Sequence, residues 1–264
     1  MPQGRKIMSR TTARNPILVY LLFILLFLTC TAALLSLCRL FSGDTAASSE
    51  VQPADRTTGN TVYVIDAGHG GEDGGAVGHI GSASVPEKDI NLAVAQALAS
   101  LLRESGAQVV LTRETDTLLY DRGADYQGRK KALDMAARLA IAEKAAARGE
   151  VIFVSIHQNT FSSPAYYGLQ VYHSTNAPAS ARLAQTIQDT AREQLAPDNN
   201  RKIKPGENIY LLKQLSCPAV LVECGFLSHP EECAALATEE YQNRVAYAIF
   251  CALREYAAQQ LPEN

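Results

Sequence analysis

Three short apolar runs, each closing on a polar side chain, constrain this chain more than any other feature. They are Val62-Tyr63-Val64-Ile65 before Asp66, Val151 to Ile156 before His157, and Ala219-Val220-Leu221-Val222 before Glu223. Apolar residues follow one another in these runs instead of alternating with polar ones. Strands of that kind are buried on both faces, the mark of a mostly parallel sheet covered by helices. The intervening segments supply the helices. Ile90, Val94, Leu98, Leu101 and Leu102 fall on one helical face, as the 3.6-residue period requires. Gly106 stops that helix, Gln108 to Leu111 reads as a strand, and an alanine-rich helix spans 129–147. Leu169 to Tyr172 reads as another strand, Leu183, Ile187, Ala191 and Leu195 mark a helix, and Val245, Ile249 and Leu253 mark a closing one. The expectation is one α/β domain over residues 61–261, with a mostly parallel central sheet and helices on both faces. In such sheets a ligand site forms beyond the carboxyl ends of the strands. The residues from Asp66 to His69, His157 and Glu223 should therefore converge.

The segment before the domain has a different character. Residues 1–15 carry Arg5, Lys6, Arg10 and Arg14 and no acid, and Ile17 to Cys38 is uncharged and strongly apolar. At about 1.5 Å per residue, a helix of that length crosses a hydrocarbon core of about 30 Å. A basic cytoplasmic tail (1–15), a transmembrane signal-anchor (16–41) and a flexible linker (42–60) are expected, with the domain outside the cytoplasm. A cleavable signal is the alternative, but the apolar run is longer than an ordinary signal core and no clean A-x-A site closes it. A lipoprotein reading is weaker, because Leu37 precedes Cys38 where a small residue belongs. The formal net charge of −3 gives no reason to expect nucleic acid as a partner. Cys217, Cys224, Cys233 and Cys251 form no C-x-x-C pair, which argues against a structural zinc knuckle.

Four residues carry the candidate chemistry. His69 lies in Asp66-Ala67-Gly68-His69-Gly70-Gly71, a glycine-rich turn without the Gly-Lys-Ser/Thr ending of a phosphate-binding loop. Glu87 opens the next helix, and Ser84-x-x-Glu87 also reads as a capping box with Pro86 in the first turn. His157 ends the most hydrophobic strand. Alone it reads as a hydrogen-bonded core histidine; with His69 and Glu87 it completes a two-imidazole, one-carboxylate set of the kind that holds catalytic zinc. Glu223, buried after four apolar residues, suits a general base whose pKa desolvation raises. Glu72 and Asp73 are rival oxygen ligands, and His79, His173 and His229 are not expected to be ligands. Asn159, Arg113 and Arg138 are candidates for positioning substrate, with supporting or surface roles as the alternative.

Taken in order, VIDAGHGGEDGGAVG, EKDINL, SIHQN and VLVECGFLSHPEE resemble the amidase-3 type of zinc-dependent N-acetylmuramoyl-L-alanine amidases. The resemblance implies a central sheet of about six strands, one zinc ion per chain on His69, Glu87 and His157, and Glu223 as the catalytic glutamate. It further implies peptidoglycan as substrate, cut between N-acetylmuramic acid and L-alanine. The short domain behind a single anchor, with Asn200-Arg201-Lys202-Ile203-Lys204 ahead of Ile209 to Lys213, is similar to the germination-specific, spore-cortex amidases. That likeness implies removal of stem peptides for muramic lactam formation, and leaves any protein activator or recruiter unnamed. His229 and Cys224 depart from the usual family residues. The segment between Glu87 and His157 reads as ordinary helix and strand, so no helical plug over the zinc is expected. A zinc carboxypeptidase or deacylase is disfavoured because seventeen residues separate His69 from Glu87, unlike an H-x-x-E pair. A non-catalytic wall-binding protein predicts loss of one of the four residues, and all four are present.

Overall fold

The computed structural model describes Leu25, Phe27, Thr29, residues 60–120 and residues 128–260. Apart from those three helical residues, the expected anchor over 16–41 and its flanks lie outside the described residues. Among the described residues no helix is long and apolar enough to cross a membrane.

Six strands build the main sheet: β1 (Thr61–Ala67), β4 (Gln108–Leu111), β5 (Glu150–Asn159), β6 (Gln170–His173), β7 (Lys204–Pro205) and β8 (Ala219–Phe226). Their order is β4-β1-β5-β8-β6-β7. β1 pairs in parallel with β4 and β5, and β5 with β8. β6 runs antiparallel to β8, and β7 follows β6, so the sheet is mostly parallel with a reversed edge. A separate hairpin, β2 (Val77–Ile80) with β3 (Ala83–Pro86), sits between the His69 loop and the first long helix.

The helices are α1 (Glu87–Glu104), α2 (Lys130–Ala146), α3 (Ala179–Leu195), α4 (Tyr210–Gln214), α5 (Pro230–Leu236) and α6 (Glu239–Ala258). Strand parity explains why the three apolar runs are continuous. Tyr63, Ile65, Val154, Ile156, Val220 and Val222 pack with Val94, Leu98, Leu183, Ile187 and Ile249 of α1, α3 and α6. Val62, Val64, Val151, Phe153, Ala219 and Leu221 face the other way, onto α2 and α4 through Ala142, Leu211 and Leu212. Side chains two apart on a strand share a face. Ser155 and His157 therefore continue the Phe153 side, and Glu223 continues the Leu221 side. The polar ends of β5 and β8 emerge together on the α2/α4 face.

Cys217, Cys224, Cys233 and Cys251 are all free thiols. Between Glu87 and His157 the described residues hold α1, β4 and α2.

Candidate active site

The His69 loop leaves β1 under tight control. Gly68 N–H donates to the Ile156 carbonyl at 3.1 Å, carrying the β1–β5 pairing one step past the strand. A Cβ at residue 68 would land on the His157 ring, so only glycine lets the two segments close. His69 itself has φ +60°, a left-handed conformation uncommon outside glycine and costly enough to need support from its surroundings.

Two buried arginines give that support. Arg138, fully buried, donates from Nη2 to the His69 carbonyl at 2.7 Å and from Nη1 to the Ala67 carbonyl at 2.7 Å. Arg113 donates to the carbonyls of Ala67 (2.8 Å), Gly68 (3.0 Å) and Lys88 (2.8 Å). Arg113 thus divides its donors among the loop, the start of α1 and the Thr115 carbonyl, and Arg138 divides its donors between the loop and two buried carboxylates. Arg138 is balanced by Asp66 (2.6 Å) and Asp134 (2.7 Å). Asp66 also accepts from Thr112 and Ser155 at 2.7 and 2.6 Å. Burial opposes ionisation of Asp66, but Arg138 and these hydroxyls outweigh it and hold its carboxyl below the usual range.

Glu87 enters from the first residue of α1 and is 3 % exposed. Its capping-box reading gives way. The helix N-cap is Pro86, with no side-chain cap bond, and Ser84 is paired with His79 inside the β2–β3 hairpin. Freed from capping, Glu87 faces the histidines. Oε1 lies 2.9 Å from His157 Nδ1 and Oε2 lies 3.3 Å from His69 Nε2. Three further donors fix the carboxylate: Ala76 N–H at 2.8 Å, Gln158 N–H at 3.0 Å and Asn91 Nδ2 at 3.2 Å. Burial works against its charge, yet the bonds to His157 and His69 hold its pKa far below the ordinary carboxylate range. Gly75 has φ +68°, and a Cβ there would sit 2.5 Å from Glu87 Oε2 and 2.7 Å from His69 Cδ2.

The ligand atoms of His69, Glu87 and His157 all lie within 4.8 Å of one another. Among the described residues this is the one His/Cys/Asp/Glu group of three with that geometry. Asp73, a rival ligand by sequence, lies 3.0 Å from His69 Nδ1, the ring nitrogen turned away from Glu87. In histidines that bind a metal, a carboxylate on the second ring nitrogen fixes the tautomer and ring orientation, and this contact has that form. Burial disfavours a charged His69, but Glu87 and Asp73 together raise its pKa. Glu72 bonds Tyr120 and Lys130 instead. His79 is exposed on β2, His173 contacts the Ser174 carbonyl, and His229 caps α5 by accepting from Glu232 N–H.

Glu223 stands opposite His157 in the β5–β8 register. Its Oε2 is buried with no hydrogen-bond partner. Desolvation pushes its pKa up to about 7, with His157 and His69 pulling down and Glu87 pushing up. An orphaned carboxylate oxygen beside two imidazoles and a second carboxylate is a costly arrangement in the absence of a cation or a reacting group. The donor set, the glycine cradle at residue 75 and this orphaned oxygen all fit a divalent metal. Asn159 ends β5 and uses its side chain on Thr160 N–H at 2.8 Å and its carbonyl on Leu227 N–H at 2.8 Å, which shapes the strand end. Beside His69 and His157 opens a cavity of about 120 Å³, also lined by Lys131, Met135, Tyr210 and Leu212.

Sequence reasoning missed the Arg138–Asp66–Asp134 group as loop support and the hairpin that leads into Glu87. The signal for the first was Arg138 itself, a charged residue on the inward stripe of an alanine-rich helix.

The family model described as N-acetylmuramoyl-L-alanine amidase, Amidase_3, matches residues 64–255. The germination-specific N-acetylmuramoyl-L-alanine amidase of Bacillus subtilis is 36 % identical over 199 residues, covering 75 % of this chain and 80 % of that protein. The amidase AmiA of Escherichia coli is 30 % identical, covering 74 % of this chain and 76 % of its own length. Among solved structures, the CwlD amidase of Clostridioides difficile, in complex with the GerS lipoprotein, superposes with a TM-score of 0.70 at 39 % identity, covering 76 % of this chain and all of that one. The chain belongs to the Amidase_3 family, and it is an N-acetylmuramoyl-L-alanine amidase resembling the germination-specific members.

Proposed function

We propose that this amidase uses one zinc ion per chain, held by His69, Glu87 and His157, to release stem peptides from peptidoglycan in the spore cortex. The observation that carries the reading is the cluster of ligand atoms from those three side chains within 4.8 Å of one another, with the unpartnered Glu223 Oε2 across one strand pair. Zinc bound there would supply Lewis-acid polarisation of the scissile carbonyl and acidification of the attacking water. The protein's own groups do the rest. Asp73 on His69 Nδ1 and the backbone donors on Glu87 keep the ligands oriented. Glu223, with a pKa near neutrality, takes the proton of the attacking water on its carboxylate. It then delivers that proton to the L-alanine nitrogen as the C–N bond breaks, so each cycle returns Glu223 to its ionised form.

The cortex assignment is supported by the likeness to the germination-specific relative. The apolar run Ile17–Cys38 behind a basic tail supports a single-pass anchor with the N-terminus inside and the catalytic domain outside. CwlD was solved with a lipoprotein, which supports a protein partner for this chain as well.

The test is digestion of purified peptidoglycan by the full chain, with and without a zinc chelator, scored by mass. Chelator-sensitive release of peptides beginning with L-alanine is the expected outcome. Release that survives full removal of metal would sink the zinc reading.

A further inference from the structure

Past His157 the chain forms an exposed aromatic ledge. Phe161, Tyr166 and Tyr167 are 54 %, 46 % and 42 % exposed, in the segment joining β5 to β6. Isolated exposed apolar residues are ordinary, but contiguous ones mark interaction surfaces. These are contiguous. The Phe161 and Tyr166 rings meet edge to face at 4.6 Å, and Tyr166 lies over Phe226 at 6.5 Å. The Arg201 guanidinium is 4.3 Å from the Phe226 centroid and 5.9 Å from that of Tyr166.

The ledge is also held in place. Phe161 N–H donates to Ser228 Oγ at 3.0 Å, Gly168 N–H to Glu232 Oε1 at 2.9 Å, and Arg201 Nε to the Tyr167 carbonyl at 2.6 Å. Arg201 Nη1 reaches Gln170 Oε1 at 3.3 Å, and Gln170 is the register partner of Glu223. Rings fixed in an exposed arrangement have already lost the freedom that binding would otherwise remove.

We infer that this ledge, built on Phe161, Tyr166 and Arg201, is a binding subsite for hexosamine rings of the glycan strand. The inference rests on the amidase reading, because the acyl side of the scissile amide is attached to a sugar. Phe161 is four residues beyond His157, so its Cα is at most about 14 Å away. A sugar carrying the reacting acyl group, or its neighbour on the strand, falls within that radius. A hexosamine ring has an apolar C–H face and a polar rim. Aromatic faces take the first, while the Arg201 guanidinium beside the rings can take the second.

The experiment uses the full chain in detergent and measures binding to glycan strands already stripped of stem peptides. In the Glu223→Gln background, Phe161→Ala with Tyr166→Ala should weaken binding about tenfold, the order expected for two lost aromatic contacts. Tyr166→Phe should keep most of the affinity. In the active enzyme the same double substitution should raise the apparent KM on intact peptidoglycan to a similar degree and leave kcat in place. Stripped-strand binding within twofold of the parent would overturn the inference, even if turnover on intact wall fell, since the ledge would then serve a peptide or a protein. Wild-type chain that releases no peptide would defeat the amidase mechanism while the binding comparison still decided the ledge.

Discussion

Removing the Arg138 side chain is the sharpest test of how the site is supported. Arg138 is fully buried and is the ion-pair partner of both Asp66 and Asp134, each about 1 % exposed. Breaking a buried ion pair from one side costs roughly 3–5 kcal/mol, because the remaining charge stays buried. Other donors limit the further loss: Asp66 keeps Thr112 and Ser155, Asp134 keeps Leu119 N–H, and the Ala67 carbonyl keeps Arg113. The His69 carbonyl, however, loses the donor it has, which adds roughly 1–3 kcal/mol. Against a total stability of about 5–15 kcal/mol for a domain, Arg138→Leu should lose a large share of the fold's margin. Urea unfolding of the full chain in detergent, followed by far-ultraviolet circular dichroism, reads this directly. Adding Asp66→Asn and Asp134→Asn to Arg138→Leu should recover part of the loss, since neither carboxylate is then buried without its cation; the buried Arg113, which both carboxylates also stabilise, limits the recovery. The pH dependence has a definite sign. The native pKa of Asp66 is depressed below 3.8, so its contribution is present above that value and disappears as pH falls through the native pKa. The gap between wild type and Arg138→Leu should therefore narrow in acid. An Arg138→Leu protein within about 1 kcal/mol of wild type at pH 7, or a triple variant no better than the single one, would refute the reasoning.

Other consequences can be checked on the same protein. His157→Ala should lose zinc and activity together, whereas Glu223→Ala should retain zinc by elemental analysis and lose turnover by roughly 10²–10⁴-fold; near-native turnover would remove Glu223 from the mechanism. Gly75→Ala places a methyl group against Glu87 and His69 at a positive φ, and zinc affinity measured by chelator competition should fall roughly 10- to 100-fold. In the metal-free protein, Glu223 has its pKa raised from 4.5 to about 7, so the native state loses stability as pH rises through that window. The full effect is about 3 kcal/mol above pH 7. Metal-free Glu223→Gln should therefore be the more stable protein at pH 8 and lose that advantage near pH 4, as read by urea midpoints.

The sequence was most informative where one face of one element decides the outcome. Continuous apolar runs can persist only in strands covered on both sides, and β1, β5 and β8 are such strands, with their polar ends converging as the strand-end rule requires. Helix positions followed equally well, because α1 buries Ile90, Val94, Leu98 and Leu102 along one stripe. Legibility failed where long-range pairing decides. Val77 to Pro86 has no clean alternation, and its hairpin is stabilised by what lies beneath it, including Cys233 against Gly78. The reversal of β6 follows from its pairing with β8, which no local period encodes. Ser84-x-x-Glu87 shows a local signal overridden: the spacing suits a cap, but strand pairing takes Ser84 and the two imidazoles take Glu87.

The arrangement also separates the three acids near His69, which sequence alone left as rivals. Glu72 points to Tyr120 and Lys130 and is more than half exposed, so a cation there would compete with water and with a lysine. Asp73 is close enough, but it meets His69 at Nδ1 while Nε2 faces Glu87. One imidazole nitrogen can bind a metal while the other donates, and the donor side belongs to Asp73. Glu87 alone reaches both histidines, is almost fully buried, and has its carboxylate fixed by three donors from separate parts of the chain. A ligand needs that fixed geometry before the metal arrives, because ordering it afterwards would weaken binding by the same free energy. Burial, nitrogen identity and pre-existing bonds thus all favour Glu87 as the oxygen ligand, with Asp73 orienting the histidine behind it.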